Sequence, residues 1–161
     1  SRRQRQMCIR DSTLHRNFMG YSSSKTKLMI GLGVSSISDS WYSFAQNEKT
    51  VEEYEASINR GELSVFKGHI LTDEDLIVRR HILNLMCNLQ TSWKHPEQKF
   101  DGLSQALYLL EDMVKDGLIE IKENELIVNE KGRPFVRNVC MAFDLHLLRN
   151  APETRIFSMT I

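Results

Sequence analysis

A chain of 161 residues can form one domain, or a small domain beside a piece of another, and is too short for a complete barrel enzyme of roughly 250 residues. Its 21 basic and 21 acidic side chains cancel, which excludes the overall field that gathers nucleic acid or acidic lipid and leaves only local patches. Cys8, Cys87 and Cys140 are too dispersed for a disulfide framework, and no apolar run reaches the roughly 20 residues of a membrane span or forms a signal core, so a soluble cytoplasmic protein with reduced thiols is expected.

Residues 1–12, SRRQRQMCIRDS, are basic and aperiodic, and read either as a non-native leader or as a flexible native tail. Neither reading gives them a function. The apolar run at 28–32, LMIGL, predicts a strand buried on both faces, with Gly31 and Gly33 at its exit letting backbone approach a ligand. The following SSISDSWYSFAQN reads as irregular or weakly helical chain. Thr50 and Glu53 then make a capping box for a helix with Val51, Tyr54 and Ile58 on one face, stopped by Gly61. Residues 48–71 are thus expected to be a connector, a helix and then an extended segment.

Thr72 and the acidic Asp73, Glu74 and Asp75 open the next helix, whose stripe is Val78, Ile82, Leu85, Met86 and Leu89. A loop with Trp93 and Pro96 precedes a second amphipathic helix carrying Leu103, Leu107, Leu110, Met113 and Val114, closed by Gly117. Alternating runs at 118–121 and 125–128, parted by Glu123 and Asn124, predict a β-hairpin. Pro134 opens a last helix with Val136, Val139, Cys140, Phe143 and Leu147 on one face, and 151–161 is a tail. The expected class is α+β, mainly α, with a winged-helix-like domain over 72–150.

A winged helix raises DNA binding. The helix that would enter the groove carries Glu111, Asp112 and Asp116 against Lys115, a charge pattern that repels phosphate, so no nucleic-acid partner is expected and a structural cap is the better reading. Gly31-Leu32-Gly33 begins like a dinucleotide fingerprint, but Ser36 holds the third glycine position and no ribose-binding acid follows on a helix at the proper distance. His15, His69, His81, His95 and His146 lack zinc-ligand spacing, so no protein metal site is expected. Cys87 and Cys140 lie on apolar helix faces and read as buried thiols rather than nucleophiles.

Three words stand out: LHRNFMGYSSS at 14–24, LMIGLGVSSIS at 28–38 and RPFVRNVCMAFD at 133–144. Together they resemble the oxygen-independent coproporphyrinogen III oxidases, the radical S-adenosylmethionine enzymes of haem synthesis. The resemblance covers nearly all of the chain after Thr13. It implies that 13–47 is the last part of a radical S-adenosylmethionine (β/α) barrel and that the C-terminal domain covers it.

The same resemblance implies that Phe18, Met19, Gly20 and Ile37 contact a second S-adenosylmethionine, although some relatives carry glutamine where Met19 stands. Read by themselves, Phe18 and Ile37 are equally ordinary core residues. Arg16 would offer a cationic fork to a substrate bearing several propionates, or serve as an exposed structural arginine. The parent reaction converts coproporphyrinogen III to protoporphyrinogen IX: a deoxyadenosyl radical takes hydrogen from a propionate, carbon dioxide leaves and an electron passes to an acceptor.

The family's CxxxCxxC triplet, which holds a 4Fe-4S cluster, does not occur in the sequence, so this polypeptide would not start the radical reaction alone. Implied partners are the N-terminal barrel, coproporphyrinogen III, and an electron donor and acceptor, in a monomer without membrane insertion. Competing readings are a haem-binding or haem-transfer relative and a non-catalytic binding or lid module.

Overall fold

A computed structural model of the chain describes residues 14–17, 19–23 and 25–149. The expectations for 1–12, for Phe18 and for 151–161 lie outside the described residues. The chain divides into two compact units at Leu76 and Ile77, and its described residues are mixed α/β.

In the first unit, β1 (His15–Asn17) and β2 (Gly20–Ser22) form a two-stranded antiparallel sheet, with Arg16 opposite Tyr21. Strands β3 (Leu28–Met29), β4 (Ile37–Ser40) and β5 (Ser43–Asn47) follow, then helix α1 (Val51–Asn59) and strand β6 (Val65–Ile70). They build a four-stranded sheet in the order β3-β4-β5-β6, antiparallel throughout. Among the described residues of this unit strands outnumber helices, so the mainly α expectation does not hold for them.

Two further expectations are corrected here. The strand foreseen over 28–32 ends at Met29, because Gly33 takes φ +95 and the chain from Ile30 turns into a loop. Nor is it buried on both faces: Leu28 is 60% and Leu32 83% exposed. The stretch read as irregular is instead the β4–β5 hairpin. Its serines close the turn, Ser43 N–H donating to Ser40 Oγ at 3.0 Å while the two hydroxyls share a hydrogen bond of 2.9 Å.

Helix α1 starts at its capping threonine, where Thr50 Oγ1 accepts from Glu53 N–H at 3.4 Å. The glutamate carboxylate takes the Thr50 hydroxyl at 2.7 Å rather than a backbone donor. Gly61, at φ +73, ends the helix where only glycine is unstrained.

Helix α2 (Asp73–Asn88) has a fully reciprocal box: Thr72 N–H donates to Asp75 Oδ2 at 2.9 Å, and Asp75 N–H to Thr72 Oγ1 at 3.2 Å. Leu89, at φ 60, reverses the chain into strand β7 (Gln90–Ser92), which the sequence pattern did not signal. Trp93, assigned to a loop, is only 4% exposed and belongs to the core. The helix expected across 103–116 is two pieces, α3 (Leu103–Tyr108) and α4 (Glu111–Lys115). Gly117, at φ +68, ends the second piece, with Leu118 N–H reaching back to the Met113 carbonyl at 2.9 Å.

Strands β8 (Ile119–Lys122) and β9 (Glu125–Val128) form the expected hairpin, and β7 adds to β9, giving the antiparallel order β7-β9-β8. Pro134 lies inside a 3-10 segment, Glu130–Phe135, so helix α5 (Val136–Ala142) begins two residues later than the proline suggested. Helix α6 (Leu145–Arg149) closes the described chain. The core of this unit centres on Leu85, Leu110, Ile119, Leu126, Val139 and Phe143, all fully buried, and Val136 and Leu148 pack against it.

Candidate functional site

The residues singled out by sequence fall on two separate sheets of the first unit. Met19 and Gly20 turn the β1–β2 hairpin, and Ile37 opens β4. Phe18 lies outside the described residues. Met19 is 82% exposed, and its N–H is taken by Asn17 Oδ1 at 3.0 Å, so a main-chain contact to a ligand at Met19 falls to its carbonyl. Gly20 is required for its backbone, φ +126, and not for room: a Cβ there would meet nothing within 4 Å. Arg16 is half-buried with its guanidinium carbon over the Tyr21 ring, 5.0 Å from the centroid, a cation–π contact.

Ile37 is half-buried and follows a loop, 30–36, that is tied down at nearly every turn. Gly31 N–H donates to Ser38 Oγ at 3.1 Å and Gly33 N–H to Tyr54 Oη at 3.1 Å. Ser36 Oγ–H donates to the Leu32 carbonyl at 2.6 Å, and Ser35 N–H to the Glu48 carbonyl at 2.7 Å. Asn47 holds three more carbonyls: Nδ2 donates to Gly31 O at 3.1 Å and Gly33 O at 2.9 Å, and its N–H to Ser36 O at 2.9 Å.

The two glycines therefore serve the loop's own closure. A Cβ on Gly31 would lie 2.7 Å from the Ile37 carbonyl oxygen, so Ile37 backbone fills the space that a side chain would need. Asn47 and Tyr54 were not among the residues singled out by sequence. Their only signal is the AQN word at the end of a strand and a helical tyrosine whose face points at the preceding loop.

Histidine and cysteine place little chemistry here. His81 is 3% exposed and belongs to the core of the second unit, its Nδ1 2.7 Å from Thr91 Oγ1 and its Nε2 2.7 Å from the Gln98 carbonyl. Burial is the main cause that pushes its pKa below the ordinary 6.5, reinforced by the Arg80 charge and opposed by the Gln98 carbonyl. Cys140 is buried, its Sγ 3.9 Å from the Ile82 carbonyl, and Cys87 is half-buried. Among the described residues, no helix is long and apolar enough to cross a membrane.

Residues 71–135 match the HemN C-terminal domain family. The chain is 35% identical over 147 residues to the oxygen-independent coproporphyrinogen III oxidase of Escherichia coli (strain K12), an alignment covering 88% of this chain and 32% of that protein. It is 32% identical over 161 residues to the protein of the same name from Synechocystis, covering 94% and 34%. The solved structure of coproporphyrinogen III oxidase (HemN) from Escherichia coli, a radical SAM enzyme, matches with a TM-score of 0.81 at 33% identity, over 89% of this chain and 34% of that one. The chain thus spans about a third of the length of the relatives it matches.

Proposed function

We propose that this chain, whose residues 71–135 match the HemN C-terminal domain, is the C-terminal part of an oxygen-independent coproporphyrinogen III oxidase. The observation that carries the reading is the TM-score of 0.81 over 89% of the chain at 33% identity, because it includes both units rather than the domain alone. The parent would convert coproporphyrinogen III to protoporphyrinogen IX in the cytoplasm. S-Adenosylmethionine, split by one electron into methionine and a deoxyadenosyl radical, would supply the radical that takes hydrogen from a propionate; carbon dioxide would then leave and one electron pass to an acceptor as the vinyl group forms.

In this reading residues 13–47 would belong to the last part of the parent's barrel and 72–150 would form its C-terminal domain. The order β7-β9-β8, with helices ahead of each strand group, supports a winged-helix-like cap. The acidic outer face of α4, carrying Glu111, Asp112 and Asp116, favours a covering role over DNA recognition.

A 4Fe-4S cluster does not fit the cysteines of this chain. Cys87 and Cys140 belong to helices that build the core, and the sequence has no closely spaced triplet. The cluster ligands would come from the other two-thirds of the parent.

A sulfonium nucleoside fits better. Ile37 offers a half-buried aliphatic wall beside a rigid loop, Gly20 a backbone without Cβ, and Met19 a carbonyl acceptor. Phe18 would add an aromatic face. These side chains would orient the ligand and exclude water from it, while Arg16, in contact with Tyr21, would meet a propionate with its guanidinium donors.

The test is a chimera in which this chain replaces the matching C-terminal third of the Escherichia coli oxidase. Anaerobic formation of protoporphyrinogen IX at a rate within about tenfold of the parent is expected. A soluble chimera that holds its cluster and cleaves S-adenosylmethionine, yet leaves coproporphyrinogen III unchanged, would remove the reading.

A further inference from the structure

Asn47 does more than end a strand. The ladder between β5 and β6 shifts register between Gln46, opposite Lys67, and Asn47, opposite Val65, so Phe66 is the extra residue and the bulge belongs to β6. At this end of β5 the Asn47 amide reaches the Gly31 and Gly33 carbonyls, 16 and 14 residues earlier in the chain. The Asn47 N–H takes the Ser36 carbonyl as well, so one residue bridges the entry, middle and exit of the loop.

The other ties act on donors. Tyr54, on α1, accepts from Gly33 N–H, and Ser38 accepts from Gly31 N–H. At Gly33, Asn47 and Tyr54 therefore hold the two faces of the same residue, one its carbonyl and the other its amide. With the space beside Gly31 closed to a side chain by the Ile37 carbonyl, the entry of the loop lies against the backbone of the residue that follows its exit.

We infer that Asn47 is a positioning residue, with Tyr54 as its counterpart, which fixes loop 30–36 and so sets where the Ile37 side chain stands against a bound S-adenosylmethionine. This rests on the proposed function for its ligand, and on the hydrogen bonds alone for its geometry. Only a side-chain amide suits the Asn47 position: two carbonyls face it, and an isosteric carboxylate would offer them no donor.

Asn47→Asp and Tyr54→Phe are compared with wild type and with Asn59→Asp, a control at the exposed end of α1. In the full chain, amide exchange at Gly31 and Gly33 and the Ile37 methyl resonance are followed by NMR. In the chimera, KM for S-adenosylmethionine and kcat are measured separately. Asn47→Asp is expected to move the Ile37 methyl, to speed exchange at Gly31 and Gly33 by about a hundredfold, and to raise KM about tenfold, more than it lowers kcat. Tyr54→Phe is expected to act in the same direction and less, chiefly at Gly33.

An unmoved Ile37 methyl in Asn47→Asp overturns the inference, whatever the chimera does. So does a displaced methyl with kcat lowered at unchanged KM in an active chimera, which is the pattern of a smaller folded fraction. A wild-type chimera that is soluble, holds its cluster and cleaves S-adenosylmethionine, yet leaves coproporphyrinogen III unchanged, removes the proposed function instead, and the methyl and exchange data then decide whether Asn47 positions Ile37.

Discussion

His81 on α2 and Thr91 on β7 share a hydrogen bond of 2.7 Å inside the core of the second unit. The geometry fixes the imidazole tautomer. The Gln98 carbonyl, 2.7 Å from Nε2, can only accept, so Nε2 carries the proton and Nδ1 accepts from the Thr91 hydroxyl. The ring sits between Phe100 and Phe143 at centroid distances of 5.7 and 5.6 Å. A neutral imidazole thus joins a helix, a strand and a 3-10 turn without introducing a charge among aromatic rings.

Acid sensitivity follows from that neutrality. Burial, the largest cause, pulls the folded pKa of His81 below the ordinary 6.5. The unfolded chain therefore binds the proton first as pH falls, and stability is lost. His81's contribution is complete above the unfolded value and disappears as pH drops through the depressed folded one. Urea midpoints between pH 7.5 and 5 are expected to fall for wild type, and His81→Gln is expected to flatten the fall.

The same pair predicts coupling between two positions. Thr91→Val leaves Nδ1 without its donor, and His81→Leu takes the partner from both the buried Thr91 hydroxyl and the part-buried Gln98 carbonyl. Each is expected to cost about 1–3 kcal/mol, and a double-mutant cycle read by urea unfolding should show about 1 kcal/mol of interaction. Strict additivity would mean that the hydrogen bond contributes nothing net.

Two glycines predict different costs for one methyl group. A Cβ on Gly132 would overlap the Leu118 carbonyl oxygen, which is backbone and cannot swing aside. Gly117 has open space around a Cβ but a φ of +68. Gly117→Ala should cost about 1–2 kcal/mol from conformation alone. Gly132→Ala should cost about 3 kcal/mol or more, because the hairpin must shift away from the 3-10 segment that carries Gly132. Thermal unfolding of the two variants beside wild type gives the order directly.

The legible parts of the fold were those where one signal sufficed. Thr50 and Thr72 with their acidic third neighbours marked two helix starts, and Gly61 and Gly117 marked two ends through a left-handed φ. The β8–β9 hairpin showed in its alternation. Strands β4 and β5 did not, because Ser38, Ser40 and Ser43 give no apolar alternation and the hairpin is held by hydroxyls. Strand β7 is three residues long and owes its pairing to β9, which no local pattern reports. In the candidate site, Gly31 and Gly33 were visible as glycines, but their reason was not: it lies in Asn47, 16 and 14 residues onward, and in the Ile37 backbone.

The outer strand of the first unit carries the last prediction. All six residues of β6, Val65–Ile70, are exposed, and among the described residues β6 stands at the end of the four-stranded order, paired with β5. Apolar exposure is heavy along it: Ile70 is 81% and the neighbouring Leu63 90% exposed. Lys49 covers part of Phe66, its Nζ 4.8 Å from the ring centroid, while Lys67 supplies the kind of charge that blunts an edge. An apolar edge of this length is a template for pairing with a second chain. The 161-residue chain is therefore expected to self-associate at about 100 μM. Ile70→Lys should shift its sedimentation toward the monomer by adding charge on the apolar side of β6, whereas a lysine introduced at the already charged Lys122–Glu125 turn of the second unit, Glu123→Lys, should leave it unchanged. Equal sedimentation of wild type and Ile70→Lys would show that β6 is not the associating surface.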